Sequence, residues 1–467
     1  MATLPAVRTR LIVLAAASAL LIAACGGSDD GAAEPSSPGS TGPTPDTVPE
    51  TTSTEAPAET TEPEAPADTV ATLEPFEVLP FGPYDVGVQT ITLNADSERP
   101  LTLDVWFPVD DAGEAPPHEY SFLPELVDVS DNAVSIDPAA ISADGPFPLV
   151  VYSHGSGGLR YVASDYTETI ASYGYLVVAP DHTGNTALDQ FLCSRTDGVT
   201  NAFNRPNDIR IIIDAMTNPE SAETAAFTPS VDPESIALTG HSVGGFTTYA
   251  AVTGFENELG AVPADDRIDA IIPIAPAIGG ERPPEAEDDT DDQATDEDRQ
   301  AFVDPCADPA TTELTVAPTP EEIEAARNRV SITDEQLASV TVPALVMVGT
   351  DDSSTPVVPN VTRAWELSNS DPLYRVELVA GQHQSFSNAC RWVELVPTWP
   401  QALQDLAGPF LTSQAASGCG EGIMDIDRAQ DLTNTFAISF LESIFRDGEM
   451  IDAATTEIPD DVVFMAK

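Results

Sequence analysis

The chain is poor in basic residues. It contains 18 lysines and arginines against 77 aspartates and glutamates in 467 residues, which gives a formal net charge of −59 at pH 7. A surface of this sign repels nucleic acid and anionic lipid headgroups. We therefore expect no nucleic-acid partner, and any attachment to a membrane has to come from something other than basic side chains.

Cysteine is also scarce, with five residues in the chain. Cys25 lies at the N-terminus, and the other four are Cys193, Cys306, Cys390 and Cys419. An even number of cysteines in an exported chain indicates two disulfides, for which three pairings are possible. Proximity favours Cys390 with Cys419, which leaves Cys193 with Cys306.

Metal-binding patterns are missing as well. No C-x-x-C spacing occurs. The densest acidic cluster, Glu285–Asp298, lacks the glycine and the closing glutamate of an EF-hand loop. We expect a solvated loop there and no metal site.

The N-terminus lacks an apolar run long enough to cross a bilayer, because Leu11–Ala24 is too short. Arg8 and Arg10 precede this run, so residues 1–24 are predicted to be a signal peptide. Its end, Ile22–Cys25 followed by two glycines, resembles the lipobox of bacterial lipoproteins, whose cysteine becomes the lipidated N-terminus. The resemblance implies an extracytoplasmic protein that is lipid-anchored to the cell membrane, with the N-terminal lipid as its one membrane contact.

The composition divides the remaining chain into two parts. Residues 25–74 are rich in Pro, Thr, Ala, Glu and Ser, so they cannot bury enough apolar surface to offset chain entropy. They are predicted to form a disordered tether with a reach of roughly 40 Å. Residues 75–467 are predicted to form one catalytic domain, and the protein is expected to be a monomer. An acidic, proline-rich insertion at 279–340 interrupts this domain and is either a lid or a disordered loop.

In this domain, short apolar runs alternate with helical stretches, which predicts an α/β fold with a mostly parallel, eight-stranded sheet flanked by helices. The first two strands alternate apolar and polar residues, as expected of an antiparallel edge hairpin. Helices are expected at Asp208–Met216 and Asn360–Ser368, among others. The predicted strands are Val88–Leu93, Leu101–Trp106, Pro148–Tyr152, Tyr175–Ala179, Ile236–Thr239, Ile268–Ile274, Ala344–Val348 and Arg375–Val379.

A candidate nucleophile, Ser242, lies in the run Gly240–Gly244 between a predicted strand and a predicted helix. A serine in such a sharp turn needs small neighbours, because a side chain at either glycine would collide with the strand or the helix. After the third strand, the glycine-rich run Ser153–Gly158 offers free backbone N–H groups. We expect Ser156 and Val243 to supply the two N–H donors of an oxyanion hole.

The acid and the base are expected after later strands. Asp351 and Asp352 follow the seventh strand, and the proline four residues beyond Asp352 favours Asp352 as the acid, with Asp351 in the turn. His383 follows the last predicted strand, where its loop can place the imidazole over Ser242. His182 is expected to shape the rim of the pocket. The chain order of serine, aspartate and histidine is that of α/β hydrolases.

These motifs, taken together from about residue 75 to the C-terminus, resemble the α/β hydrolase superfamily and within it the predicted dienelactone hydrolase and platelet-activating factor acetylhydrolase group. True dienelactone hydrolases have a cysteine where Ser242 stands, so their reaction is not implied. The matching segments are Val105–Pro108, Ser153–Gly158, Asp181–Asn185, Arg205–Asp208, Gly240–Gly245 and His383–Phe386.

The sequence thus predicts a serine esterase that needs no cofactor and acts on a small-molecule or lipid carboxylic ester. Lipids, acetylated compounds and polyesters all remain open as substrates. An amide or peptide hydrolase with the same catalytic residues is an alternative, and so is a surface scaffold that has lost catalysis.

The anchor can be tested at Cys25. The variant Cys25→Ser cannot be lipidated at that position, so it should be released into the medium or remain unprocessed. Cell fractionation with intact-mass measurement reads this out. A variant that stays on the membrane at the mass of the wild type would contradict the anchor.

Overall fold

The computed structural model describes residues 73–121, 128–130, 134–137, 140–279 and 330–467. The predicted signal peptide, lipidation site Cys25 and nearly all of the tether lie outside these residues. So do Cys306 and the acidic stretch Glu285–Asp298. Among the described residues, no helix is long and apolar enough to span a bilayer.

The centre of the domain is a nine-stranded sheet with the order β9-β8-β7-β6-β5-β3-β4-β2-β1. Its inner strands are parallel, while β1 with β2, β2 with β4, and β8 with β9 are antiparallel. The predicted α/β fold and the edge hairpin are confirmed. The strands are β1 (Asp85–Leu93), β2 (Leu101–Val109), β3 (Phe147–Ser153), β4 (Leu176–Asp181), β5 (Val231–His241), β6 (Ala270–Ile274), β7 (Ala344–Gly349), β8 (Leu373–Leu378) and β9 (Val462–Ala466).

The ninth strand is absent from the predicted set of eight. β9 pairs with the outer edge of β8, and of its five residues only Val462 is buried. An edge strand with so little burial gives a weak apolar signal. By contrast, every residue of β3 is buried, as expected of a strand covered on both faces.

Nine α-helices flank the sheet within the described ranges. The last of them, α9, packs a regular apolar stripe on the core, since Leu432, Phe436 and Phe440 recur every four residues and are fully buried. The helices are α1 (Ser164–Ser172), α2 (Ala187–Leu192), α3 (Gly198–Thr217), α4 (Val243–Thr253), α5 (Asp334–Ser339), α6 (Arg363–Leu367), α7 (Ala389–Leu395), α8 (Gln401–Ala415) and α9 (Ile426–Phe445).

Two helices differ in extent from their predictions. The helix expected at Asp208–Met216 begins ten residues earlier, because Asp197 caps its N-terminus and the helix continues through Pro206. The helix expected at Asn360–Ser368 is a π-helical turn, Val358–Thr362, followed by α6. The first difference places Arg205 on α3.

A disulfide fastens the region after β8. Cys390 on α7 is bonded to Cys419, which follows α8, and their Cα atoms are 5.8 Å apart. The bond therefore links α7 to the end of α8, and its first cysteine lies seven residues after His383. Cys193 is also disulfide-bonded, and its expected partner Cys306 lies outside the described residues.

Candidate active site

Ser242 lies in a strained turn between β5 and α4. Its backbone has φ 59° and ψ −117°, a conformation that L-residues rarely adopt. A Cβ atom at Gly244 would lie 1.8 Å from the carbonyl oxygen of Ser153, and one at Gly240 would lie 2.6 Å from the backbone of Gly244. Only glycine fits at these two positions. The absence of side chains there lets the strand and the helix pack closely, and this packing holds Ser242 in its turn.

The structure brings the three predicted catalytic side chains together. His383 Nε2 lies 2.9 Å from Ser242 Oγ, and His383 Nδ1 lies 2.8 Å from Asp352 Oδ2. Asp352 follows β7, and His383 opens a short 3₁₀ turn after β8. Because an ionised carboxylate only accepts, Nδ1–H donates to Asp352 and Nε2 is left to accept the Ser242 proton.

Asp352 is held as a carboxylate. The backbone N–H of Thr355 donates to Oδ1 at 2.8 Å, and the Thr355 hydroxyl lies 2.7 Å from Oδ2. Burial alone would raise the pKa of Asp352, but the hydrogen bonds from His383 and Thr355 outweigh it and hold this pKa below its usual value. Thr355 was not singled out from the sequence, although an aspartate followed three residues later by threonine is a turn signal.

The neighbouring Asp351 has a different environment. Its side chain is exposed, and its Oδ1 accepts from the Thr350 hydroxyl at 3.0 Å. Its backbone N–H donates to the carbonyl of Gly381, which joins the two loops that carry the acid and the base. Asp351 therefore lies in the turn, while Asp352 contacts the histidine.

Backbone N–H groups converge beside Ser242. Val243 is the first residue of α4, so its N–H has no acceptor within the helix. The oxyanion loop, His154–Gly158, lies next to the serine, since a Cβ at Gly155 would be 3.3 Å from Ser242 Cβ. Within the described part of the chain, the N–H of Ser156 has no protein acceptor. These two N–H groups are available to a ligand, as an oxyanion hole requires.

The side chain of His241 hydrogen-bonds to the main chain of His383, the predicted base. Its Nε2 lies 2.7 Å from the carbonyl oxygen of His383, and because a carbonyl only accepts, Nε2 carries the proton. Burial, followed by the charge of His383, lowers the pKa of His241 to about 3, so the ring is neutral at physiological pH. This contact was not predicted from the sequence.

The expectation that His182 lies on the pocket rim is wrong. Its side chain is fully buried beneath the oxyanion loop, where Nδ1 lies 2.8 Å from Asp208 and Nε2 lies 2.9 Å from Ser153 Oγ. Burial lowers the pKa of His182 well below its usual value. A histidine at this position indicates a polar role. Its partner Asp208 is 26 residues away in the chain, so the buried orientation of His182 could not be predicted from local spacing.

A narrow cleft opens between the oxyanion loop and the α7–α8 pair, with a cavity volume of about 40 Å³. Its walls are mostly apolar, and Gln384 and Gln414 add two amides that hydrogen-bond to each other at 3.0 Å. The cleft lies between the oxyanion donors and the loop of the base. Its main apolar lining residues are Leu159, Val162, Ala187, Trp392, Phe410 and Leu411.

The sheet order and the turn that carries Ser242 are those of the α/β hydrolase fold, and the hydrogen-bonded serine, histidine and aspartate have the arrangement of a catalytic triad. A family model described as "Platelet-activating factor acetylhydrolase, isoform II" matches residues 125–224. The structure of a ferulic acid esterase from Streptomyces cinnamoneus is similar at a TM-score of 0.53 and 20% identity, over 86% of this chain and 98% of that chain.

These comparisons confirm the predicted fold, and the family match supports the prediction of an enzyme that hydrolyses carboxylic esters. The matched segment contains the oxyanion loop and α3, and it ends before Ser242. The roles of Ser242, Asp352 and His383 therefore rest on their geometry.

The two adjacent aspartates provide a matched pair of variants. Asp352→Asn should lower kcat on the order of 10³-fold or more, because the amide no longer fixes the histidine in the tautomer that accepts from serine. Asp351→Asn removes a charge one residue away and should leave kcat within about threefold. Steady-state kinetics on p-nitrophenyl acetate, with thermal melting to show that both variants are folded, measures this. The reverse ranking would assign the acid to Asp351.

Proposed function

We propose that this protein hydrolyses carboxylic esters through a covalent acyl-enzyme on Ser242. The observation that carries the proposal is the continuous hydrogen-bonded chain from Ser242 Oγ through His383 to Asp352. This chain begins at a strained turn, near two backbone N–H groups that have no acceptor among the described residues. Each element supplies one requirement of nucleophilic catalysis: nucleophile, base, orienting carboxylate and oxyanion donors.

In the first half-reaction, His383 Nε2 takes the hydroxyl proton while Ser242 Oγ attacks the ester carbonyl carbon. The carbonyl π electrons move to oxygen, and the N–H groups of Ser156 and Val243 stabilise the resulting oxyanion. When the tetrahedral intermediate collapses, the bond to the alcohol oxygen breaks and His383 gives its proton to the leaving alcohol. Asp352 stabilises the imidazolium that exists between these two proton transfers.

In the second half-reaction, water replaces the alcohol. His383 takes a proton from water, the water oxygen attacks the acyl carbon, and the same two N–H groups bind the second oxyanion. Collapse breaks the bond to Ser242 Oγ, and His383 returns the proton to the serine. The carboxylic acid leaves, so one water molecule is consumed for each ester and the enzyme is regenerated.

The cleft favours esters of short acyl groups. Its cavity volume of about 40 Å³ next to the oxyanion loop is small for a long acyl chain, and its walls are mostly apolar. The similarity of residues 125–224 to an acetylhydrolase family is consistent with acetyl esters as the first substrates to try. Aromatic acyl esters are the second choice, because a similar structure is that of a ferulic acid esterase.

We also propose that the enzyme acts outside the cytoplasm, attached through a lipid on Cys25. The support is the sequence pattern Ile22–Cys25 behind a basic and apolar N-terminus. Several acyl chains on one cysteine give firm attachment, whereas one chain alone is marginal. In sequence, the acidic residues 25–74 separate this cysteine from the catalytic domain.

The nucleophile is tested by Ser242→Ala. Turnover of p-nitrophenyl acetate should fall by about 10⁴-fold or more, because the other site residues act through the serine. Labelling by a fluorophosphonate probe should be lost in the same variant. A folded Ser242→Ala protein that keeps more than a tenth of the activity would refute the proposed function.

Matched ester and amide substrates, together with p-nitrophenyl esters of increasing chain length, define the substrate class. We expect the amide to be turned over much more slowly than its ester, and activity to decline as the acyl chain grows. A faster amide would change the assignment to an amide hydrolase with the same catalytic residues.

A further inference from the structure

Arg205 on α3 is a fully buried guanidinium that hydrogen-bonds to the main chain of the oxyanion loop. Its Nη1 donates to the carbonyl of His154 at 2.5 Å, and its Nη2 donates to the carbonyl of Gly155 at 3.0 Å. Buried charges are usually paired with a carboxylate. In the described part of the chain, no carboxylate lies within ion-pair distance of Arg205. Its hydrogen bonds go to the loop, to Asn185 and, at 3.4 Å, to Ser153 Oγ.

We propose that Arg205, together with Asn185, is a positioning residue that orients the Gly155–Ser156 peptide so that the Ser156 N–H faces the oxyanion. This inference rests on the proposed function, because it concerns the oxyanion hole of that reaction. Neither side chain is placed in contact with substrate. Both act through the peptide that carries the donor.

The peptide between Gly155 and Ser156 links the direction of its carbonyl to the direction of its N–H. The Gly155–Ser156 bond is trans, so the C=O of Gly155 and the N–H of Ser156 point in opposite directions across one plane. The carbonyl is directed inwards to Arg205. The N–H is therefore directed away from Arg205, towards the cleft that Ser156 lines. Without the Arg205 donor the carbonyl is held less firmly, so the peptide can tilt and move the N–H away from the oxyanion position while the catalytic residues stay in place.

A second donor fixes the same carbonyl. His154 Nδ1 lies 2.6 Å from the oxygen of Gly155, while its Nε2 accepts from the backbone N–H of His182 at 3.2 Å. The acceptor role of Nε2 means that Nδ1 carries the proton and donates. The backbone N–H of Gly158 donates to the same oxygen at 3.2 Å, so Gly155 O has three donors, of which Arg205 is the one that comes from outside the loop.

Asn185 connects Arg205 to the rest of the loop. Its Oδ1 accepts from Arg205 Nε at 3.0 Å and from Nη2 at 2.6 Å, which leaves its Nδ2 to donate to Ser156 Oγ at 3.3 Å. Its main-chain carbonyl accepts from the N–H of Gly157 at 3.1 Å. Arg205 and Asn185 therefore hold the residues on both sides of the Ser156 N–H.

The nearest carboxylate on the same helix, Asp208, does not compete for the hydrogen bonds of Arg205, because other donors occupy its oxygens. Asp208, one turn later on α3, accepts from Arg99 at 3.0 and 2.6 Å and from His182 Nδ1 at 2.8 Å. Its oxygens are therefore engaged by other donors, although its charge lies near the guanidinium. An apolar side chain of similar length would fill the same space without the cost of burying a charge. The directional donors of arginine account for its presence.

The test compares Arg205→Met and Arg205→Lys with a control, Arg375→Met. Arg375 is a mostly buried arginine that pairs with Glu377 on β8, away from the oxyanion loop. For each folded variant, kcat and KM are measured on p-nitrophenyl acetate. Affinity is measured for an alkyl trifluoromethyl ketone, which forms an oxyanion on the serine, and for the matched secondary alcohol, which does not.

In Arg205→Met we expect kcat and ketone affinity each to fall by about 10²-fold, the scale of losing one oxyanion donor. KM and alcohol affinity should stay within about threefold, because ground-state binding does not use the oxyanion hole. Arg205→Lys should be intermediate, since one ammonium reaches fewer acceptors than the planar guanidinium. Arg375→Met should keep wild-type kcat and ketone affinity.

Wild-type kcat and ketone affinity in Arg205→Met would overturn the inference, as would an equal loss of ketone and alcohol affinity. If Arg205→Met does not fold, Arg205→Lys decides: a selective loss of ketone affinity supports the inference, and wild-type affinity overturns it. Ser242→Ala separates the two proposals. Ketone binding that survives in Ser242→Ala refutes the proposed function, whatever the Arg205 variants show.

Discussion

The close approach of Gly244 to the carbonyl of Ser153 is the contact on which the site depends. It leaves no room for a side chain, so the start of α4 lies directly on the end of β3. That packing holds Ser242 in its strained turn and places the oxyanion loop, which begins immediately after β3, against the serine. Nucleophile and oxyanion donors are thus brought together by a backbone contact between the start of α4 and the end of β3, which is the parallel neighbour of β5 in the sheet.

The histidines of this site have different functions, which depend on their burial and their hydrogen-bond partners. Of the five histidines in the chain, four lie in or directly beneath the site: His154, His182, His241 and His383. Burial lowers the pKa of the first three, so they act as neutral donors and acceptors with fixed tautomers. His383 alone is placed between a serine and a carboxylate, with Nε2 facing Ser242 Oγ and Nδ1 facing Asp352.

Local sequence predicted the strands and the three residues that meet at the site, because each lies in a short, recognisable context at the end of a strand. Buried central strands are continuous apolar runs, whereas the edge strand β9 is short and has only one buried residue, so its sequence gives no clear strand signal. The supporting contacts could not be predicted. Arg205 reaches carbonyls about 50 residues earlier in the chain, and His241 reaches the main chain of His383 from 142 residues away. Such pairs depend on how the sheet is ordered.

The most direct measurement is a crystal structure of the protein after reaction with an alkyl fluorophosphonate. The phosphorus should be bonded to Ser242 Oγ. Its phosphoryl oxygen should lie about 3 Å from the backbone nitrogens of Ser156 and Val243, the distance at which donors stabilise an oxyanion. An adduct on another residue, or a phosphoryl oxygen directed away from both N–H groups, would contradict the mechanism.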